Sequence, residues 1–232
     1  MSKYIAILFP LFLISCISEQ ERLNKDLYSY VAEGNITKAK ECIKNGADVN
    51  YDKTSGRFTP LREAMSRKDI STVKMLLENG ANIDARDRYG RSALTTESHY
   101  LNFDMVKFLL ENKADVNFKD EWGNSPLSNA CCPNMFLENI GDKDIETVKI
   151  LLKYGANINS RDMYGVTPLY KACHKDNLRV IKILVENGAE INALIYDKSG
   201  TPLDMARDPE VIKYLREHGA KTAKELEKEA TK

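Results

Sequence analysis

Between Thr59 and Gly80 the polar and apolar positions fall into two short helical patterns. Thr59 offers a hydroxyl of the kind that caps a helix N-terminus, and Pro60 takes the first helical position, where no backbone donor is needed. After a polar break, Val73, Leu76 and Leu77 recur at spacings of three and four. A second helix with one apolar stripe is therefore predicted, ended at Gly80 by a left-handed turn.

The pattern recurs down the chain. Thr59-Pro60-Leu61, Ser92-Ala93-Leu94, Ser125-Pro126-Leu127, Thr167-Pro168-Leu169 and Thr201-Pro202-Leu203 follow one another at intervals of 33, 33, 42 and 34 residues. A second phrase keeps step: Asn45-Gly46-Ala47-Asp48-Val49-Asn50, Asn79-Gly80-Ala81-Asn82-Ile83-Asp84, Tyr154-Gly155-Ala156-Asn157-Ile158-Asn159 and Asn187-Gly188-Ala189-Glu190-Ile191-Asn192. Between the helix pairs run Asp87-Arg88-Tyr89-Gly90, Asp120-Glu121-Trp122-Gly123 and Asp162-Met163-Tyr164-Gly165, whose Asp and Gly residues suit tight turns. One helix pair cannot enclose its own apolar face, so Leu61, Ala64, Val73 and Leu76 need cover from Leu94, Val106 and Leu109 of the next. The predicted fold is an all-α solenoid of stacked antiparallel helix pairs with short projecting β-turn fingers.

The period near 33, the TPL opening and the GADVN close resemble the ankyrin-repeat family from about Leu23 to Lys221. The resemblance divides the chain into an N-terminal cap (23–56), repeats at about 57–90, 91–123, 124–165 and 166–200, a C-terminal cap (201–220) and a charged tail (221–232). The first cap has Leu27-Tyr28-Ser29-Tyr30 where the others have TPL, with its first helical pattern near Asn24. The last unit is shortened around Asp208-Pro209. The tail pairs Lys224 with Glu227 and Glu225 with Lys228, and is expected to be a frayed, solvated helix.

Three departures stand out. The histidine that usually follows TPL is replaced by Arg62, Thr95, Ser128, Tyr170 and Asp204, which predicts weaker hydrogen bonding between repeats. Glu97 replaces a small alanine (compare Ala64, Ala130 and Ala172) and Lys113 replaces the terminal glycine, marking the repeat at 91–123 as the soft one. The 42-residue interval holds an insertion of about nine residues between Cys132 and Asp144. Its Met135, Phe136, Leu137 and Ile140 are expected to extend a helix end and cover the local core.

Composition narrows the function classes. With 43% hydrophobic and 29% charged residues the chain can bury a core. Lys plus Arg (34) equal Asp plus Glu (34), which removes the basic footprint of a nucleic-acid binder and leaves no net field to steer any partner. At the N-terminus, Lys3 precedes an apolar run, Tyr4 to Ile14, too short to cross a bilayer as a helix. Residues 1–15 are expected to be a signal peptide. Leu13-Ile14-Ser15-Cys16 resembles the bacterial lipobox, which implies an exported chain lipidated at Cys16 and held at a membrane of the cell envelope. Ile17 favours the outer membrane, or a periplasm-facing position, by analogy. Residues 16–22 would form a tether of roughly 25 Å at full extension.

No catalytic phrase emerges: GxSxG, HExxH, a glycine-rich phosphate loop and paired CxxC knuckles are all missing from the sequence. His99, Cys132 and His174 fall at one equivalent position in successive repeats. Packed helices stand roughly 8 to 10 Å apart, so these three would span about 20 Å and could not share an ion. Alignment places Cys42 at the buried position of Leu76, and Cys131 with Cys173 at that of Met65, too far apart for a disulfide. They are expected to be core thiols. No enzyme, cofactor or metal is predicted.

The resemblance implies instead that another protein is held by the finger tips and the first helices. On the fingers the positions are Arg88, Tyr89 and Arg91; Glu121, Trp122 and Asn124; Met163, Tyr164 and Val166. On the helices they are Ser66, Arg67, His99, Tyr100, Cys132, His174 and Lys175. Tyr89, Trp122 and Tyr164 make an aromatic row, the residue type that most often dominates interface energy. The expected function is a monomeric protein-binding adaptor, or else a dedicated inhibitor or immunity protein that occludes one enzyme or toxin.

Overall fold

Each TPL-type phrase starts a helix for the reason its residues suggest. The Thr59 hydroxyl accepts from Arg62 N–H at 3.3 Å, Ser92 from Thr95 at 3.2 Å, Ser125 from Ser128 at 3.2 Å and Thr167 from Tyr170 at 3.3 Å. Thr201 makes a reciprocal capping box with Asp204. A computed structural model describes residues 19–53, 59–133 and 142–231, and these fold as helices with no β-strand. The chain forms two compact units, Met1–Arg88 and Tyr89–Lys232.

In the first unit, α1 (residues 19–33) and α2 (Ile36–Lys44) precede the pair α3 (Pro60–Ser66) and α4 (Ile70–Glu78). Leu27, Val31, Ala39, Leu61, Ala64, Val73 and Leu76 are buried. The second unit stacks α5 (Ala93–His99) with α6 (Phe103–Glu111), α7 (Pro126–Ala130) with α8 (Lys143–Lys153), and α9 (Pro168–His174) with α10 (Leu178–Glu186). It closes with α11 (Pro202–Met205), α12 (Pro209–Glu217) and α13 (Ala223–Ala230). First helices pack on first helices, α5 on α7 on α9 on α11, and second on second, α6 on α8 on α10 on α12. Leu94, Val106, Leu109, Leu127, Leu151, Leu169, Ile181 and Leu184 form its core.

Every second helix ends in the same Schellman turn. After α4, Gly80 N–H donates to Leu77 and Ala81 N–H to Leu76, both at 3.0 Å, with Gly80 at φ +88°. After α6 the bonds are the same, Lys113 to Leu110 and Ala114 to Leu109 at 3.0 Å, yet the left-handed residue is Lys113 at φ +67°. Glu97 adds to the softness expected here. Its carboxylate takes the Asn102 amide N–H at 2.9 Å, and Asn102, the N-cap of α6, makes no side-chain cap bond. Asn35, Asp69, Asn177 and Asp208 each cap their helix with a side-chain bond, while Asp142 before α8, like Asn102, makes none.

One expectation is corrected. The chain is already helical at residue 19, so the described part of the expected 16–22 tether belongs to α1, and the helix begins before Asn24. Gln20 and Asn24, one turn apart, use it to hold the next turn: Gln20 Nε2 donates to the Gly46 carbonyl at 2.7 Å and Asp48 N–H to Asn24 Oδ1 at 2.7 Å. The tail is the expected solvated helix, with no buried residue. The helix α13 opens with a Thr222/Glu225 capping box and is tied by Arg216–Glu225 at 2.7 Å and Lys221–Glu229 at 2.6 Å. Beside the insertion α7 has five residues where α5 and α9 have seven, while α8 is the longer helix, with eleven residues where α6 and α10 have nine, and takes Asp144 into its first turn. Met135, Phe136, Leu137 and Ile140 lie outside the described residues, as do Cys16 and the leader.

Hydrogen bonding between repeats is made here without the histidine that usually follows TPL. The last Asn of the GADVN phrase reaches forward instead. Asn50 Nδ2 donates to the Gly80 carbonyl at 3.1 Å while its Oδ1 accepts from Asn82 N–H at 2.7 Å. Asn117 does the same to Gly155 and Asn157, and Asn192 to Gly219 and Lys221. Asn159 Oδ1 accepts from Glu190 N–H at 2.8 Å. Within the repeat at 124–165, the buried Ser125 and Ser160 hydroxyls share a bond at 2.9 Å.

Candidate functional site

The fingers of the second unit are built by their aspartates. Asp120 Oδ1 accepts from the N–H groups of Trp122 and Asn124, and Asp162 Oδ1 from those of Tyr164 and Val166, each at 2.8 to 3.0 Å. The folded turn lifts the residue two after the aspartate to the tip. Gly123 and Gly165 let the next finger close in. A Cβ on Gly123 would sit 3.0 Å from the Asp162 backbone, and one on Gly165 would run into Tyr196 at 2.8 Å.

Adjacent fingers are joined by main-chain bonds. Glu121 N–H donates to the Tyr89 carbonyl at 3.4 Å, Met163 N–H to that of Trp122 at 2.9 Å, and Tyr196 N–H to that of Tyr164 at 3.0 Å. This ladder fixes the aromatic row in register. The Tyr89 and Trp122 rings lie 5.8 Å apart at 31°, and the Arg91 guanidinium stacks on Tyr89 at 4.8 Å. Tyr89 is half-buried by this packing. Trp122 is 42% exposed, Met163 52% and Tyr164 64%.

Tyr196, 63% exposed, belongs to the same surface and was missed in the sequence. Its finger has Ile195 in the place of the aspartate and one extra residue before Thr201, so it does not show the Asp-x-aromatic-Gly phrase. Its closure, Ile195 N–H to the Gly200 carbonyl at 3.1 Å, matches that of Asp120 with Asn124 and Asp162 with Val166.

Some predicted contact residues are occupied within the fold. Asn124 donates to Asp120 Oδ2 at 3.1 Å and accepts from Lys171 Nζ, which also pairs with Asp162 at 3.4 Å. In the first unit, Arg67 Nη1 donates to the Ala32 carbonyl at 2.6 Å, tying the end of α3 to that of α1. Ser66 turns back to the Glu63 carbonyl at 3.1 Å. Arg88 is exposed.

On the first helices of the second unit, Tyr100, His174 and Lys175 are exposed while His99, Cys132 and Val166 are half-buried. His99 meets Tyr100 edge-on at 5.4 Å. Burial first, then the charges of Arg91, Lys171 and Lys175, hold the His99 imidazole below its ordinary pKa. Cys42, Cys131 and Cys173 are buried free thiols. Burial raises the Cys173 pKa to about 12 and pushes Cys131 up as well, so neither is a nucleophile at neutral pH. Among the described residues no three His, Cys, Asp or Glu side chains are grouped to hold a metal ion.

Known proteins agree with this architecture. The profile of ankyrin repeats (3 copies) matches residues 27–120, 95–194 and 135–225. Over 83 residues the chain is 37% identical to the human Arf-GAP with coiled-coil, ANK repeat and PH domain-containing protein 2, a stretch covering 34% of this chain and 11% of that protein. Over 89 residues it is 33% identical to putative ankyrin repeat protein R664 of Acanthamoeba polyphaga mimivirus, covering 35% of this chain and 55% of that one. A second mimivirus protein, R841, is 34% identical over 81 residues, 33% of this chain and 14% of its own length. The chain thus spans only about a tenth of the Arf-GAP relative, and the likeness lies in the repeats. With the family profile running from residue 27 to 225 over capped helix pairs joined by a finger ladder, the chain belongs to the ankyrin-repeat family of protein–protein interaction modules.

Proposed function

We propose that this chain is a monomeric, non-catalytic adaptor at the bacterial cell envelope, exported by residues 1–15, lipidated at Cys16, and holding a partner protein on the row Tyr89, Trp122 and Tyr164, extended by Tyr196. The observation that carries the binding surface is the set of exposed aromatic side chains on fingers locked together by main-chain hydrogen bonds. A rigid finger presents its ring with little conformational entropy left to lose on docking, which suits a binding hot spot. Support for the anchor comes from Lys3, the apolar run to Ile14 and the Leu13-Ile14-Ser15-Cys16 phrase. A multiply acylated cysteine holds a domain stably at a bilayer, and a single chain does not.

Crosslinked pull-down from envelope extracts, with Trp122→Ala as the comparison, tests the surface. The substitution is expected to leave the unfolding midpoint nearly unchanged and to weaken partner capture by about 2 kcal/mol. A variant that loses its fold, or captures the partner as well as the parent does, overturns the assignment. Metabolic labelling with palmitate tests the anchor. Label that persists in Cys16→Ser, or a parent chain that takes none, removes it.

A further inference from the structure

The finger ladder has a direction. In each finger the residue after the aspartate donates its N–H backward, and the residue after that lends its carbonyl forward: Glu121 N–H meets Tyr89, Met163 meets Trp122 and Tyr196 meets Tyr164. Ile195 holds the aspartate position of the last finger, so the carbonyl in line for the next rung is that of Asp197. The Asp197 carboxylate takes Ser199 N–H at 2.9 Å, but among the described residues no donor reaches its main-chain carbonyl.

The spacing of the chain explains the open rung. From Gly188, in the turn after α10, to the cap Thr201 there are thirteen residues, and a finger forms on the way. From Gly219, in the turn after α12, to the cap Thr222 there are three, so the next finger is left out. The helix α13 starts at once and is held to the repeat before it: Thr201 Oγ1 donates to the Lys221 carbonyl and Ala223 N–H to Asp204 Oδ2, both at 2.8 Å. Between the last finger and α13 lies a groove of about 780 Å³. Asp197 and Ser199 stand on one side, while Leu194, Ala223, Leu226 and Ala230 supply apolar surface.

We propose that this groove takes an extended segment of another protein, whose main-chain N–H donates to the Asp197 carbonyl as the missing finger would, and whose apolar side chain lies on Leu194 and Leu226. The proposal shares with the aromatic row only the reading that the chain binds proteins, so row and groove can fail separately. An extended segment has amide N–H groups to offer, whereas a helix has already used all but its first few. The rung exchanges a bond to water for one to the partner, so it sets register, and burial of the apolar side chain supplies most of the affinity. Lys224 and Glu227, one of each sign, border the groove and select for neither charge.

Phage-displayed random dodecapeptides selected on the purified full chain, with counter-selection on Leu226→Glu and fluorescence anisotropy of the synthesised winners, test this. Each winner should carry a central apolar residue and lose about tenfold in affinity when one particular amide is N-methylated. Methylation of the adjacent amide, which faces the other way in an extended chain, should be tolerated. Ala230→Glu changes an exposed side chain and should also weaken binding about tenfold with the unfolding midpoint unchanged. Lys228→Gln, outside the groove on the same helix, and Trp122→Ala, on the row, should bind like the parent. No winners, or winners held equally well by Ala230→Glu, overturn the groove. Winners that need the groove yet tolerate methylation at every amide overturn the rung. Self-association of the parent in sedimentation equilibrium that Ala230→Glu removes overturns the choice of another protein in favour of a second copy of this chain. Groove-dependent winners alongside a Trp122→Ala variant that captures its partner undiminished remove the row and leave the groove standing.

Discussion

Replacing Lys113 with glycine should stabilise the protein. Lys113 closes the Schellman turn after α6 at φ +67°, with the same two backbone bonds that Gly80 and Gly155 make at φ +88° and +87°. An L-residue held in the left-handed region loses roughly 1–2 kcal/mol to the contact of its Cβ with the backbone. Glycine returns about 0.4–1 kcal/mol of that through the greater freedom of the unfolded chain. The net gain is about 0.5–1 kcal/mol, or roughly 1–4 °C in the unfolding midpoint for a chain of this size. Thermal unfolding followed by circular dichroism measures it. The reverse change is a matched control, because a Cβ on Gly155 meets nothing within 4 Å and Gly155→Lys adds backbone strain without a clash. It should lower the midpoint by a similar amount, and the two changes together should nearly cancel, the sites lying in different repeats. An unchanged or lowered midpoint for Lys113→Gly refutes the reasoning.

Asn117→Ala removes both a donor to the Gly155 carbonyl and an acceptor for Asn157 N–H, and should cost about 1–2 kcal/mol in urea unfolding; a loss within error would mean the Asn clamp carries no stability. The Glu225 carboxyl is held at about 2, first by its hydrogen bond from Arg216 and then by Thr222 N–H. Its folded pKa is therefore depressed, so the docking of α13 is fully supported above the ordinary value of 4.5 and is lost as pH falls through about 2. Hydrogen exchange in α13 should speed up over that window, and Glu225→Gln should reduce the pH dependence, leaving the part owed to the Lys221–Glu229 pair. Among the described cysteines, Cys132 should react with iodoacetamide at neutral pH well before Cys42, Cys131 and Cys173; mass spectrometry showing Cys131 or Cys173 modified first in the native protein would remove them from the core.

Much of the fold is legible because its signals are local. A cap hydroxyl, a proline at the first helical position and an apolar stripe at three- and four-residue spacing each act within one helix, and their recurrence identifies the repeat. The left-handed lysine after α6 was legible too, since Lys113 breaks a phrase that the other repeats keep. The insertion was visible as an interval, but its effect on α7 and α8 was not. In the site, Trp122 and Tyr164 could be found from the finger phrase. Tyr196 could not, because Ile195 stands where the aspartate belongs; the main-chain bond to Tyr164 sets Tyr196 in the register of Glu121 and Met163, and its exposure places it on the same surface.

The amino-acid sequence alone determined the helix pairs, their caps and their buried faces, since those depend on neighbours a few residues away. Tertiary structure alone decided the rest. Whether Asn50, Asn117 or Asn192 is a solvated turn residue or a clamp depends on a carbonyl some thirty residues further on. Whether Lys171 is a solvated charge or part of a clamp depends on which groups the stack brings beside it. Lys171 meets Asn124 of the preceding repeat only when successive repeats pack, because Coulomb's law follows distance in space and is blind to distance along the chain.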